Sequence, residues 1–396
     1  MKSIIIHIII MYYRRIGELV LPTNPWKNMK VHRIYTYIEH GLYPELLELF
    51  FNKVLEHGCR EVVDPFIGSG VVAVEAQRRG FNVIGIDANP WSLIVTKAKT
   101  RKPNYKKVVK VINEVLENND REETLIPSKR LGRYHEKNIL IKLGRLRAII
   151  ENTEDEEKPL LLAVFGKIVD EYSLLKRSPA PKFAVKKQNL NKMNTDPFER
   201  FRSALSQAVS DLKEHEFRGF VELIWSDSSM WLPRRICCLI SSPPFTNNVD
   251  YIRHSQLQLL WSGLARDSDD LGYLRSLQLP ACIAAARSWK QEIENEEINK
   301  YVREINGKKA KGYKKFVKQY FYYMRKHFQL LYDRLEWEAW YTIGDSILGG
   351  AYLPTHKLLK RIAEEIGFKV EVKTLDKRRH RSKFLGLYLL RLIIKH

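Results

Sequence analysis

Residues 61–89 read EVVDPFIGSGVVAVEAQRRGFNVIGIDAN, and this stretch decides the fold. A short β-branched run leads into Asp64, and Gly68–Gly70 supplies a turn in which backbone can approach a ligand closely. A helix with one apolar side is predicted next, and Gly80 ends it. Residues 81–86 have the composition of a buried strand. The stretch therefore predicts one strand–helix–strand unit of a parallel sheet.

Two carboxylates indicate the ligand of this unit. Ligands of parallel sheets bind at the carboxyl ends of the strands, and Asp87 at the end of the second strand suits a ribose diol. Asp64 would repel a phosphate, and no Lys-Ser/Thr pair follows the glycines. A cationic nucleoside such as S-adenosylmethionine fits better, because a carboxylate attracts its ammonium and sulfonium groups. The alternative is that the glycines form only a tight turn.

A second motif follows a second buried strand. The apolar run of residues 236–240 stops at Ser241-Ser242-Pro243-Pro244-Phe245. Two prolines cannot continue a central strand, so the chain turns out of the sheet there. The result is a rigid loop at the carboxyl end of a strand, with a hydroxyl, fixed carbonyls and an aromatic ring.

Together the two motifs resemble the S-adenosylmethionine-dependent amino-methyltransferases that act on DNA bases. DPFIGSG, residues 64–70, matches their cofactor loop, and SPPF, residues 242–245, matches their catalytic loop. Members that methylate cytosine N4 usually carry Ser-Pro-Pro-Tyr/Phe, and those that methylate adenine N6 usually carry Asp- or Asn-Pro-Pro-Tyr/Phe. The resemblance thus implies cytosine N4, with adenine N6 as the alternative. It covers residues 30–100 and 220–396 well and 101–219 poorly.

The resemblance implies an α/β fold: the doubly wound, Rossmann-like sheet of class I methyltransferases, with seven strands, an antiparallel end and a helical insertion. It implies methylation of a base extruded from double-stranded DNA, since a paired amine cannot react. The base would stack on Phe245, and the amine would donate to the Ser242 hydroxyl and the Pro243 carbonyl. The expected catalytic residues are Ser242, Pro243, Pro244 and Phe245. The expected cofactor-binding residues are Asp64, Pro65, Phe66, Gly68, Ser69, Gly70, Asp87, Asn89, Asp227 and Tyr35.

Around these motifs, four segments are predicted. An N-terminal extension (1–30) precedes the cofactor-binding part (31–100), and a helical insertion (101–219) that could read DNA precedes the catalytic part (220–396). Tyr37 and His40 join Tyr35 as candidates for closing over the cofactor, with plain core packing as the alternative. Residues expected to flank the extruded base are Asn247, Asn248, Asp250, Tyr251 and Arg253.

The chain is strongly basic. It carries 67 Lys and Arg against 46 Asp and Glu, a net charge of +21. Such an excess predicts a polyanionic partner, here double-stranded DNA, and the alternative is a solvated basic surface. The expected phosphate contacts are Lys308, Lys309 and Lys311 beside a helix over 313–335, and Arg378, Arg379 and Arg381 at a basic hairpin tip over 375–382. A cognate restriction endonuclease is a candidate partner.

The four cysteines, Cys59, Cys237, Cys238 and Cys282, show no spacing typical of a metal site or a disulfide. Reduced thiols, no metal and a cytoplasmic protein are therefore predicted. The expected DNA partner predicts in addition that the protein is nucleoid-associated. The apolar start, residues 1–11, is too short to span a bilayer and lacks the features of a signal peptide.

Two other functions stay open at this point. An RNA base methyltransferase of the same fold would share the cofactor loop. A DNA-binding protein without activity would need no cofactor site, and the intact carboxylates and glycines argue against it.

Overall fold

A computed structural model describes residues 26, 29–35, 42–117, 122–176, 182–183, 195–380 and 383–394. Its main sheet has seven strands, which in chain order are β1 (Glu61–Asp64), β2 (Asn82–Asp87), β3 (Val221–Trp225), β4 (Ile236–Ser241), β5 (Leu335–Gly344), β6 (Lys369–His380) and β7 (Lys383–Ile393). They lie in the order β6-β7-β5-β4-β1-β2-β3. β7 runs in the opposite direction to the other six strands of this sheet. The predicted doubly wound, Rossmann-like sheet with an antiparallel end is confirmed.

The helices connect these strands. In chain order they are α1 (Pro44–His57), α2 (Val71–Arg78), α3 (Pro90–Thr100), α4 (Tyr105–Glu117), α5 (Lys137–Glu151), α6 (Lys158–Glu171), α7 (Pro197–Lys213), α8 (Tyr251–His254), α9 (Gln256–Ser262), α10 (Ser268–Ser276), α11 (Ile283–Ala286), α12 (Glu296–Arg303), α13 (Ala310–Tyr332) and α14 (Thr355–Ile366). Short 3₁₀ turns cover Lys30–Ile34 and Lys129–Arg133, and small hairpins join Leu175–Lys176 to Lys182–Phe183 and Ser346–Leu348 to Ala351–Leu353. Within the described ranges, no helix has both the length and the apolar character needed to cross a membrane.

The strand order brings the two sequence motifs together. β1 pairs with β2 on one side and with β4 on the other, so the winding of the sheet reverses at β1. A crevice opens outside the carboxyl ends of the strands at such a reversal. Asp64 ends β1, Asp87 ends β2 and Ser241 ends β4, so all three border this crevice.

Helices cover both faces of the sheet. On one face, α1 and α2 pack on apolar residues of β1 and β5, as at Phe50 and Trp340. On the other face, α13 and α14 pack on residues of β4 and β5. Helices α4 to α7, all within residues 101–219, share a third core with α3 and α9. The insertion is therefore helical as predicted and packs on the helix that follows β2.

The predicted basic loop over residues 375–382 is wrong for most of its length. β6 continues to His380 and β7 begins at Lys383, and the two strands pair with an irregularity between Thr374 and Asp376. β6 is the edge strand of the sheet, where charged side chains are tolerated because one side of the strand stays unpaired. The basic residues of this segment were therefore predicted as a hairpin tip although most of them belong to a strand.

The prediction of reduced cysteines is wrong for two of the four. Cys59 and Cys237 form a disulfide with their Cα atoms 5.9 Å apart. They are 178 residues apart in sequence, but one precedes β1 and the other lies in the adjacent β4, so the sheet brings them together. His57 lies beside them, with a ring nitrogen within 4.8 Å of both sulfurs. Cys238 and Cys282 are buried free thiols, as expected.

Candidate active site

The cofactor loop depends on glycine at two positions. Gly68 and Gly70 have φ angles of 54° and 79°, which side chains on L-residues rarely adopt. A Cβ atom on Gly70 would also lie 2.7 Å from Oγ1 of Thr96. The loop therefore passes close over α3 and leaves its outer side to the crevice.

Asp64 links the cofactor loop to the end of β4. Its Oδ1 accepts hydrogen bonds from Oγ of Ser241 at 2.5 Å and from the backbone N–H of Phe66 at 3.1 Å. The residue is 2 % exposed, and this burial raises the pKa of its carboxyl to about 7. A buried carboxylate with hydroxyl and amide donors is a place where a bound cation would be stabilised.

Asp87 holds the other side of the loop. Its Oδ2 accepts from the N–H of Gly68 at 2.9 Å, and its Oδ1 accepts from the N–H of Asn89 at 2.8 Å. Burial raises the pKa of Asp87 to about 6. Each carboxylate oxygen accepts more than one hydrogen bond, so these contacts leave capacity for ligand hydroxyls.

Asn89 caps α3 and also bonds the segment after the catalytic loop, and its role as a cofactor-binding residue stays a prediction. Its side-chain oxygen accepts from the N–H of Trp91 and caps α3, and its amide donates to Oγ of Ser255 at 3.1 Å. The side chain thus joins α3 to the segment after the catalytic loop. The Asn-Pro sequence at the helix start is the signal for this capping role.

Asp227 lies directly after β3, at the same edge of the sheet. Its Oδ1 accepts from the N–H of Ser229 at 2.7 Å, and the Tyr323 hydroxyl also bonds it. The N–H of Ser226 donates to the Asp87 carbonyl at 3.3 Å, which joins the ends of β2 and β3. Asp227 therefore lies near Asp87 at the carboxyl edge of the sheet, and its contact with a cofactor stays a prediction.

Tyr35 packs against the core that the insertion helices share. Its ring meets the Trp91 ring edge-on, with centroids 5.5 Å apart, next to the turn after β2. Tyr37 and His40, the other two candidates, are outside the described residues.

The catalytic loop begins one residue after the contact with Asp64. Ser242 and Phe245 are half-buried, whereas Pro243 is buried. The Phe245 ring covers Gly344 of β5, where an added Cβ would lie 2.7 Å from a ring carbon. The loop that carries the predicted catalytic residues thus starts next to Asp64.

Two of the residues that were expected to flank the base also form bonds within the protein. Asn248 has a φ of 62°, and its side chain accepts from the N–H of Ile283 at 3.1 Å. Asp250 caps α8 and forms an ion pair with Arg275 at 2.9 Å. These contacts shape the segment between the loop and α11.

Two buried groups beneath the site were missed by the sequence reasoning. The Nζ of Lys99 donates to the Ser69 carbonyl at 2.7 Å, and burial lowers its pKa to about 7. His327 contacts the Ser228 carbonyl at 3.0 Å and the Tyr341 hydroxyl at 2.6 Å, and burial lowers its pKa to about 4. Both lie in helices whose periodicity reveals only an apolar side, so no sequence signal separates them from neighbouring residues.

The basic residues are partly described. Lys308, Lys309 and Lys311 are exposed at the start of α13. Asn306, just before them, donates its N–H to the carbonyl of Gly349, in the hairpin that follows β5. This places the lysines toward the carboxyl edge of the sheet, where the crevice is. Arg378 and Arg379 lie in β6, their side chains outside the described set, and Arg381 is outside the described residues altogether.

Known proteins resemble this chain in sequence. The family model of the D12 class N6 adenine-specific DNA methyltransferases matches residues 41–207. Type II methyltransferase M.MvaI of Kocuria varians is 24% identical over 270 residues, which cover 60% of this chain and 59% of that protein. Type II methyltransferase M.BsoBI of Geobacillus stearothermophilus is 24% identical over 446 residues, covering 91% and 84%.

A shorter match is to Type II methyltransferase M.MjaII of Methanocaldococcus jannaschii, 27% identical over 143 residues, which cover 34% of this chain and 27% of that protein. The chain is similar to the DNA amino-methyltransferases. It spans 59% of the M.MvaI protein and 27% of the M.MjaII protein. Methyltransferases of this kind use S-adenosylmethionine as the methyl donor. An rRNA methyltransferase structure from Streptomyces viridochromogenes covers 91% of this chain at a TM-score of 0.27 and 9% identity, too distant for any argument.

Proposed function

We propose that this chain transfers a methyl group from S-adenosylmethionine to an exocyclic amine of a base in double-stranded DNA. The observation that carries the proposal is the hydrogen bond from Ser241 to Asp64. It joins the last residue before the catalytic loop to the carboxylate of the cofactor loop. A donor bound to one loop and a base held by the other would therefore meet in the same crevice.

The residues of the crevice fit this cofactor. Asp64 is buried and its pKa is raised, so a cationic ligand would replace the missing counter-charge. We assign Asp64 to the amino-acid part, Asp87 to the ribose hydroxyls and Asp227 to the adenine amine. Pro65 and Phe66 continue the loop, and Gly68, Ser69 and Gly70 let the backbone approach the ligand. When bound, S-adenosylmethionine supplies an electrophilic methyl group.

The catalytic loop would orient the base. An extruded base would stack on Phe245, and its amine would donate to the Ser242 hydroxyl and to the Pro243 carbonyl. Acceptors fixed in this way stabilise the positive charge that develops on the amine nitrogen. Holding both reactants in one geometry supplies much of the remaining acceleration. No covalent bond to the protein is needed, because no ring carbon is attacked.

Two observations favour different bases. Ser242 is the residue that the cytosine-N4 members usually carry, so the loop favours N4-methylcytosine as product. The matching family model describes adenine-N6 enzymes, which supports N6-methyladenine. That match covers residues 41–207 and ends before Ser242, the residue that would contact the amine. We therefore propose cytosine N4, with adenine N6 as the second candidate.

Product analysis tests this proposal. The protein is incubated with radiolabelled S-adenosylmethionine and either plasmid DNA from a host without DNA methyltransferases or total RNA, and the nucleic acid is digested to nucleosides for mass spectrometry. N4-methylcytosine is the expected product. N6-methyladenine would change the base but keep the chemistry, whereas label found in RNA and not in DNA would overturn the proposal.

The division into domains, the cytoplasmic location and a partner endonuclease stay predictions.

Replacing Asp87 with alanine is expected to weaken cofactor binding by about 1–3 kcal/mol, because the ribose hydroxyls and the N–H of Gly68 both lose an acceptor. Isothermal calorimetry with cofactor alone measures the change. Glu222→Gln is the control, since Glu222 is an exposed carboxylate at the other end of β3. Equal affinity of Asp87→Ala and wild type would remove Asp87 from the cofactor site.

Neutralising Lys308, Lys309 and Lys311 to glutamine is expected to weaken DNA binding for every sequence. The slope of log affinity against log salt should fall by up to about three if each lysine meets one phosphate. Cations near a helix N-terminus oppose the helix dipole, so a bound phosphate would offset that repulsion.

The matched control for this triple variant neutralises Arg60, Arg235 and Lys369. These exposed residues lie before or at the amino ends of β1, β4 and β6, on the opposite edge of the sheet. Fluorescence titrations at several salt concentrations give both slopes. If the two triple variants change the slope equally, the lysines contribute only net charge and do not contact DNA.

A further inference from the structure

Three buried hydroxyls lie directly behind the catalytic loop. Thr246 follows Phe245, and its Oγ1 lies 2.8 Å from Oγ1 of Thr355 and donates to Oγ of Ser346 at 3.1 Å. Thr246 and Thr355 have no exposed surface. A hydroxyl has one hydrogen to donate, so when Thr246 donates to Ser346 it must accept from Thr355. Thr246 is thus the central member of a hydrogen-bonded chain.

The two partners of Thr246 are fixed relative to each other. Asp345 precedes Ser346, and His356 follows Thr355. The Asp345 carboxylate contacts Nδ1 of His356 at 2.7 Å and also accepts from the Tyr352 hydroxyl. The start of α14 is therefore bonded to the end of β5. A side chain that bonds both elements has a rigid support.

The ring of Phe245 contacts the same support. It packs against Gly344, two residues before Ser346. The residues after the catalytic loop, 246–250, belong to no helix or strand, so contacts with neighbouring elements determine where the loop lies. Two of these contacts, the ring on Gly344 and the Thr246 hydroxyl, meet the end of β5 within three residues of each other.

We infer that Thr246 is a positioning residue, which fixes Phe245 and Ser242 against β5 and α14 at the geometry that methyl transfer needs. This inference rests on the proposed function. The Thr246 side chain does not meet the crevice, since it is buried behind the loop. Its contribution is expected in turnover and not in cofactor binding, because small displacements of a reacting group reduce rate strongly.

The test compares three substitutions. Thr246→Val keeps the shape of the side chain and removes the hydroxyl, whereas Thr246→Ser keeps the hydroxyl and removes a methyl group. Thr342→Val is the matched control: Thr342 is equally buried in β5, and among the described residues its hydroxyl has no hydrogen-bond partner. For each variant, kcat on unmethylated plasmid DNA, KM for S-adenosylmethionine and amide hydrogen exchange of residues 241–249 are measured.

Thr246→Val is expected to lower kcat at least about tenfold, with KM for the cofactor within about twofold of wild type. Thr246→Ser should recover most of the lost turnover, and Thr342→Val should retain it. Exchange across 241–249 should become faster in Thr246→Val alone. Unchanged kcat, equal losses in both valine variants, or failure of serine to rescue would overturn the inference.

The same measurements distinguish failure of the proposed function from failure of the inference about Thr246. If the wild-type protein methylates no DNA, the exchange measurement still decides the structural part: faster exchange in Thr246→Val than in Thr342→Val supports a positioning role for this hydroxyl, and equal exchange rejects it. If wild type is active and Thr246→Val is equally active, only the inference about Thr246 is wrong.

Discussion

Ser242→Ala is expected to lower the turnover of DNA methylation by about 10- to 100-fold while cofactor affinity stays near that of wild type. The lost hydroxyl would accept a hydrogen bond from an amine whose charge grows during the reaction, and such bonds contribute about 1.5–3 kcal/mol. The cofactor carboxylates Asp64 and Asp87 do not depend on this hydroxyl, since Ser241 and backbone amides hold them.

The measurement combines single-turnover methylation of plasmid DNA with calorimetry of cofactor binding. Ser262→Ala is the control, because the Ser262 hydroxyl bonds the Leu259 carbonyl within its own helix, α9. Equal turnover of Ser242→Ala and wild type would remove the hydroxyl from the reaction. A parallel loss of cofactor affinity would mean that Ser242 supports the cofactor loop and not the base.

The two motifs could be located from sequence because each combines a buried strand with a residue that must end it. Glycine adopts the positive φ angles that a tight turn needs, whereas proline has a fixed φ and no N–H to donate, so the residues after Asp64 and after Ser242 determine the turns. The position of each loop at the carboxyl end of a parallel strand then follows from the rules of such sheets. These rules place Asp64, Asp87 and Ser241 at the carboxyl edge of the sheet.

Contacts between distant segments were not predictable in the same way. The disulfide between Cys59 and Cys237 depends on β1 and β4 being neighbours, and its partners are 178 residues apart. The chain from Thr246 to Ser346 and Thr355 likewise joins three segments. Threonine and serine at those positions carry no periodic pattern, so their roles appear only when the fold places them together.

Asn89 and Asp250 each have a structural role in addition to the contacts predicted for them, which stay predictions. Both are polar residues near a motif, and proximity in sequence suggested contact with a ligand. In the structure the local backbone uses them first, since each caps the helix that begins after it. Short polar side chains before a helix have this capping role by default, and a ligand role requires evidence beyond nearness to a motif.

Asp64→Asn is expected to weaken cofactor binding by about 10- to 100-fold at pH 7.5, because the neutral amide keeps the shape but loses the charge that attracts the ammonium group. Burial raises the pKa of Asp64 to about 7, so in the free protein this carboxyl gains its proton as the pH falls below 7. Wild-type affinity should therefore decrease from pH 7.5 to pH 6.5.

The variant should show little change over this interval, since the α-amino group of the cofactor stays mostly protonated there. Asp87, whose pKa is about 6, changes the cofactor affinity with pH only at lower pH.

Thermal unfolding without cofactor distinguishes a variant that binds weakly from one that does not fold. A carboxyl whose pKa is raised on folding binds more protons in the folded state, so it lowers the free energy of unfolding as pH rises from 4 to 7. Asp64→Asn should then be at least as stable as wild type at pH 7.5, and a variant that binds weakly for lack of folding would instead melt earlier. If cofactor affinity changed equally with pH in wild type and in the variant, another group, such as Lys99, would be the one that titrates in the site.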